Sequence, residues 1–249
     1  MATQSESSTI VVQEVATESI VLALLGTRPL ILNRMAVKAQ HELLLPGGRK
    51  TIAQKQASLK HAPLDEYRAS AYRLTEGPAL LGMMATAIKG AMMTAALDLP
   101  GTRKAQIGRL VWVEGDYVPV YGIPKLFMAV PRSADMNRTP DIRTRAIVPE
   151  WAALVTVTYV VPILTRTSIV NLLVAGGMTA GIGDWRQEKG KGNYGQFTVV
   201  SPDDARVVAL CARGGRAAQE AAMESPEAYN QETADMLTWY GAEVQRRGK

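Results

Sequence analysis

Apolar positions recur along the chain with two periods. Ser19 to Leu25 reads Ser-Ile-Val-Leu-Ala-Leu-Leu and stops at Gly26. A short apolar run with a glycine boundary predicts a buried strand. Between Ile31 and Leu45, Met35, Ala39 and Leu43-Leu44 predict a helix, ended by Pro46-Gly47-Gly48. Leu81, Met84, Ala85, Ile88, Met92 and Ala95-Ala96 return at helical spacing and predict a helix from Pro78 to Leu97. Pro78 suits its first turn, and Pro100-Gly101 lies beyond its end. Ile107–Val113 and Tyr117–Tyr121 are predicted strands flanking Glu114-Gly115-Asp116 as a hairpin connection. Leu126–Val130 adds another strand. Trp151–Val161 alternates apolar residues with threonine, the pattern of a long strand, and Pro162 closes it. Ser168–Thr179 is a predicted helix with cap residues in Thr165-Arg166-Thr167. A strand at Gln196–Val200, a short helix at Pro202–Leu210 and an amphipathic helix over 226–247 complete the pattern.

Two strand–helix–strand passages in one chain predict an α+β fold. The expected form is a ferredoxin-like or RRM-like antiparallel sheet with helices on one face. The expected division is a disordered N-terminus over 1–10, a core over 11–212 and a C-terminal helical tail over 213–249. Two polar, basic stretches, 46–74 and 131–148, are expected to be insertions projecting from that core.

Composition narrows the chemistry. The chain has 249 residues and a net charge of +5, so the placement of cations matters more than their excess. One cysteine, Cys211, excludes an internal disulfide and a cysteine zinc site. His41 and His61, the only histidines, exclude a multi-histidine metal site. No apolar stretch reaches the roughly 18–20 residues of a membrane span. The first residues do not read as a signal peptide, so a cytoplasmic protein with no membrane partner is expected. The sequence carries no Walker loop, dinucleotide fingerprint or nucleophile elbow, so no cofactor, metal or catalytic residue is expected.

The densest chemistry lies between Gly176 and Gly195, where seven of the 21 glycines fall within 20 residues. Gly181, Gly183, Gly190, Gly192 and Gly195 are interleaved with Trp185, Arg186, Lys189, Lys191 and Tyr194. Glycine admits left-handed backbone and close approach. Cations and aromatics beside it suit a polymer with phosphates and bases, with Trp185 and Tyr194 as stacking platforms or as caps on the core. Three further basic groups point the same way. Arg28 and Arg34 follow the first strand. Arg49, Lys50 and Lys55 lie in the first insertion. Arg132, Arg138, Arg143 and Arg145 lie in the second, where the arginine fork matches phosphate oxygens.

Ala87-Ile-Lys-Gly-Ala-Met92 resembles the lysine-glycine helix motif of the repeat-associated mysterious protein (RAMP) superfamily, the RNA-binding proteins of CRISPR effector complexes. The glycine-rich loop before the last sheet strand is similar to that superfamily's other hallmark. The chain looks most like the backbone subunits, or a phage relative built on the same core. The resemblance implies a non-enzymatic protein that lines up in many copies on a single strand of RNA or DNA, RNA being favoured, with other ribonucleoprotein subunits as further partners. Lys89 would match the motif lysine. Three other readings stay open at this point: a phage single-stranded-DNA-binding or recombination protein, a metal-dependent ribonuclease using Asp135 or Asp141, and a structural interaction protein without nucleic acid.

Overall fold

The structure, a computed structural model, describes residues 14–35, 37–45, 61–130, 141–189 and 192–247. In chain order the elements are β1 (Ala16–Gly26), β2 (Leu30–Ile31), α1 (Val37–Leu44), α2 (Pro63–Ala69), β3 (Tyr72–Arg73) and β4 (Leu81–Met84). Then come α3 (Ala85–Ala95), α4 (Lys104–Leu110), β5 (Val111–Val113), β6 (Tyr117–Tyr121), β7 (Lys125–Ala129), β8 (Arg143–Val148) and β9 (Ala152–Val161). The last are α5 (Arg166–Ala175), β10 (Phe197–Val200), α6 (Ala205–Arg213), α7 (Arg216–Glu224) and α8 (Gln231–Arg246).

The result is a mixed α+β protein with an antiparallel sheet. Its order is β10-β1-β9-β6-β4-β3, with β5 also on β9. A smaller sheet runs β2-β8-β7. β1 and β9 pair over ten residues, from Ala16 opposite Val161 to Leu25 opposite Ala152. Alternate residues of β1 face two layers. Ile20, Leu22 and Leu24 pack with Ile88 and Met92 of α3 and with Ile169, Leu172 and Leu173 of α5. Ala23 and Leu25 face the other way, against Val207 and Leu210 of α6. The continuous apolar run read in the sequence thus has both faces covered over Leu22–Leu25, while Val21 stays exposed.

Several predicted elements need correction. Leu81–Met84 is a strand, not the first turn of a helix, and Pro78 lies before it. Helix propensity separates such residues by at most about 0.7 kcal/mol. Burying Leu81 and Met83, both in the core, yields about 1.5–3 kcal/mol each, so the tertiary contact decides. Ile107 and Leu110 are helical, and the strand starts at Val111. Glu114-Gly115-Asp116 does not join a hairpin, because β5 and β6 both lie on the same edge of β9. The seven steps from Val113 to Val120 match only four from Val157 to Ala153, so the connection bulges outward. α7 falls within the expected helical tail over 213–249, where the pattern predicts only the helix over 226–247. Within the described parts of the two expected insertions, Tyr67 and Ala71 are fully buried, as are Thr144, Ala146, Ile147 and Val148. The expected disordered stretch 1–10 lies outside the described residues.

The C-terminal helices are tied into the same body. Gln219 of α7 is fully buried. Its Oε1 accepts from Leu80 N at 2.7 Å and Leu81 N at 3.0 Å. Its amide donates to the carbonyls of Val120, Gly122 and Gly214 at 2.8–3.0 Å. These five contacts saturate the side chain's two donors and two lone pairs, one N–H being shared between two carbonyls, and tie α7 to β4 and β6.

Candidate nucleic-acid interface

Helix α3 buries Ile88, Ala91, Met92 and Ala95 and leaves Thr86 exposed and Lys89 half-buried. Its N-cap is Met84, which offers no side-chain cap, and Ala85 N donates to Asp116 O at 2.9 Å. Two adjoining grooves meet at this helix start, sharing Met84 and Thr86. The first, about 420 Å³, is bordered by Lys89, Trp112, Asp116 and Tyr117. The second, about 340 Å³, runs between α3 and the glycine loop, bordered by Gly90, Thr94, Lys104, Gly181, Gly183 and Arg186.

The loop begins where α5 widens into a π turn over Gly176–Ala180. Gly183 has φ +83°, and a Cβ there would collide with the carbonyl of Ile31. Gly195 has φ +69° and faces the carbonyl of Ile182 in the same way. These glycines admit protein backbone, not an outside ligand. Asp184 N donates to Ile31 O at 2.9 Å, Gly195 N to Pro29 O at 2.8 Å and Ile182 N to Gly195 O at 3.0 Å. The loop is therefore laid along residues 29–31.

Arg186 is anchored. Its guanidinium donates to Glu188 at 2.7 Å and to Gly183 O at 3.1 Å, and Glu188 accepts from Thr94 of α3 at 3.1 Å. Trp185 has φ +50°, the one positive value at a non-glycine residue among the described residues. Left-handed backbone costs an ordinary residue about 1–2 kcal/mol. Trp185 N donates to Asp184 Oδ1 at 3.0 Å, and Tyr194 N to Trp185 O at 3.3 Å, which hold it there.

On the loop's other side, Trp185 and Asp184 border a small pocket with Phe127, Ala129, Arg143 and Arg145. The Trp185 ring meets Phe127 edge-on at 6.1 Å and Tyr194 at 6.2 Å, and Tyr229 completes the cluster 5.5 Å from Phe127. Burial raises the Tyr194 phenol, with Tyr229 adding to it. Arg143 is exposed. Arg145 Nε is buried without a hydrogen bond, 3.8 Å from Asp184. Burial lowers its pKa, and Asp184 opposes that shift.

The predicted residues thus fall into two groups on either side of one loop. Lys89, Gly181, Gly183 and Arg186 line the α3 side; Trp185, Arg143 and Arg145 line the other, with Tyr194 packed behind. Arg34 sits over the Tyr72 ring at 5.8 Å, and Tyr72 meets Tyr117 at 5.2 Å, so it leads toward the Lys89 groove. Arg28 is exposed, and its carbonyl accepts from Trp151 Nε1 at 2.9 Å. Gly192 crowds the Trp185 carbonyl. Lys189 ends a 3-10 turn, Gln187–Lys189. Arg49, Lys50, Lys55, Arg132, Arg138, Gly190 and Lys191 lie outside the described residues, as does Asp135. Asp141 lies 3.3 Å from His61 Nε2, whose Nδ1 is 3.0 Å from Glu66.

Sequence reasoning missed Lys104, Trp112 and Tyr117 as groove residues. The signal for Lys104 was hidden because the residues after it were read as a strand; on α4 the same lysine borders the groove. A larger concavity, about 800 Å³, lies elsewhere, between the 122–125 turn and α6–α7. Its walls are mostly apolar and its rim charges are paired, Lys125 with Glu227 and Arg213 with Glu150. It offers little to an anion. Among the described residues no cluster of three His, Cys, Asp or Glu has metal-binding geometry, and no helix is long and apolar enough to cross a membrane. No protein-family model matches the chain, and no curated protein matches it.

Proposed function

We propose that the protein binds single-stranded nucleic acid without cleaving it, along the exposed face of α3 and over the glycine loop. One observation carries the reading: the two grooves share Met84 and Thr86, so Lys89, Lys104 and the loop border adjoining depressions at the start of one helix. Lysines along such a depression neutralise phosphates and release counterions, a gain that does not depend on sequence. The uncapped start of α3 adds backbone N–H groups and a positive dipole end.

Topology supports a ferredoxin-like, RRM-like core. β10, β1, β9 and β5 lie side by side, all neighbours antiparallel. α3 falls between β1 and β5 in the chain, and α5 between β9 and β10. That is the split βαβ order of such cores. Together with the Lys89 motif it supports kinship with the RAMP backbone subunits, RNA as the preferred strand and side-by-side copies along it.

The test is fluorescence anisotropy with labelled single-stranded RNA and DNA between about 50 and 200 mM salt. Binding that weakens steeply with salt, and larger particles on longer strands, are expected. Absence of binding at the low-salt end rules the proposal out, and metal-dependent shortening of the RNA would favour a nuclease instead.

A further inference from the structure

The residue at the crest of the loop stands against the trend of its neighbourhood. Seven of the 20 residues from Gly176 to Gly195 are glycine, yet the left-handed position at φ +50° is held by Trp185. Glycine would adopt that angle without cost. Strain retained where its relief is one substitution away points to a use for the side chain. Filling the aromatic cluster accounts for part of it, since Trp185 meets Phe127 and Tyr194.

A second observation lies beside it. Arg145 borders the same small pocket as Trp185, and its buried Nε lacks a hydrogen-bond partner. The Asp184 carboxylate, at 3.8 Å, is too distant to satisfy it. Exposed Arg143 lies on the same pocket. A strained indole and an underpaired guanidinium thus stand together where the chain crosses from the α3 groove to the β7–β8 ribbon. An indole offers a π face to any base, and a guanidinium offers donors to a phosphate or a base edge.

We infer that Trp185 is the base-sensing residue of the interface, stacking one nucleobase while Arg145 and Arg143 hold the adjacent backbone. The inference rests on the nucleic-acid reading and adds to it a division of labour. The α3 side reads charge alone; the crest distinguishes a strand with bases from one without.

The experiment uses the full chain with two fluorescein-labelled strands of equal length, an oligouridylate and its abasic counterpart. The unaltered protein is expected to prefer the strand with bases by about tenfold, the order expected for one stacked base. Trp185→Gly, which relaxes the backbone but vacates the aromatic cluster, should stay folded at the assay temperature, keep affinity for the abasic strand and lose that preference. Trp185→Phe, which retains an aromatic face, should keep most of it. Equal weakening on both strands by a folded Trp185→Gly protein, or unchanged preference, overturns the inference while leaving the nucleic-acid reading standing. Binding of neither strand by the unaltered protein overturns both.

Discussion

Arg186 and Glu188 form an ion pair at 2.7 Å, and Glu188 also accepts from Thr94 on the neighbouring helix. The loop's arginine is thereby neutralised and fastened to α3. Replacing the acid should free the cation. Glu188→Gln is expected to bind single strands severalfold more tightly, with a salt slope steeper by about 0.7–0.9, as one more phosphate contact requires. Weaker binding would mean that the pair's role in holding the loop outweighs its charge.

Lys89 has no such acid in the groove wall beyond Asp116. Lys89→Ala should reduce affinity alike for all sequences and lower the salt slope by about 1. The same titration applied to Arg186→Ala should give a smaller change, because that side chain is already paired.

Gln219 tests the body rather than the interface. Gln219→Leu would strand the amide donors of Leu80 and Leu81 and remove the side-chain donor from three carbonyls, of which that of Gly214 keeps its bond from Gly122 N. With about 1–3 kcal/mol for each group left unpaired, a loss of at least 3 kcal/mol is expected, partial relaxation included. Urea unfolding measures it, and a loss below about 1 kcal/mol would mean that water replaces the amide.

Gly183→Ala addresses the loop's internal packing. The left-handed angle and the nearby Ile31 carbonyl both oppose a methyl group. Destabilisation above about 1 kcal/mol is expected, seen first as faster hydrogen exchange at the Asp184 amide.

Asp204 caps α6, accepting from Arg206 N at 2.9 Å, and the Arg206 side chain holds its carboxyl down to about 2. A depressed folded pKa means the stabilisation is complete above the ordinary carboxylate range near 3.8 and is lost as pH falls through about 2. The melting-temperature gap between the protein and Asp204→Asn should therefore be constant near neutrality and close in acid. A gap independent of pH would assign the cap to hydrogen bonding alone.

Legibility in the sequence followed local physics. β1, β9, α5 with its Thr165 cap, and the strand after the glycine loop were readable, because each is a continuous pattern bounded by a glycine, a proline or a hydroxyl. Leu81–Met84 was misread because its strand pairing comes from other segments, the two-residue β3 before it and β6 some 35 residues on. Ile107 and Leu110 fit either period in a short window. α7 leaves a weak apolar trace, since its anchor is a glutamine. For the interface, Lys89 and the loop were legible as motifs. The pairing of Arg186 and the strain at Trp185 were not, because both depend on which backbone passes nearby.

The ten-residue pairing of β1 with β9, and of β1 with β10 beyond it, joins one strand to two others that follow it by more than a hundred residues. On the ribosome, Ile20–Leu25 emerges long before either neighbour exists, as a sticky ribbon with both edges bare. This sheet must await the synthesis of β9 and β10, and contacts so remote in sequence form slowly. The newborn polypeptide is accordingly a natural client for chaperones, and stalled nascent chains ending before Ala152 should be readily cut by protease where full-length chains resist.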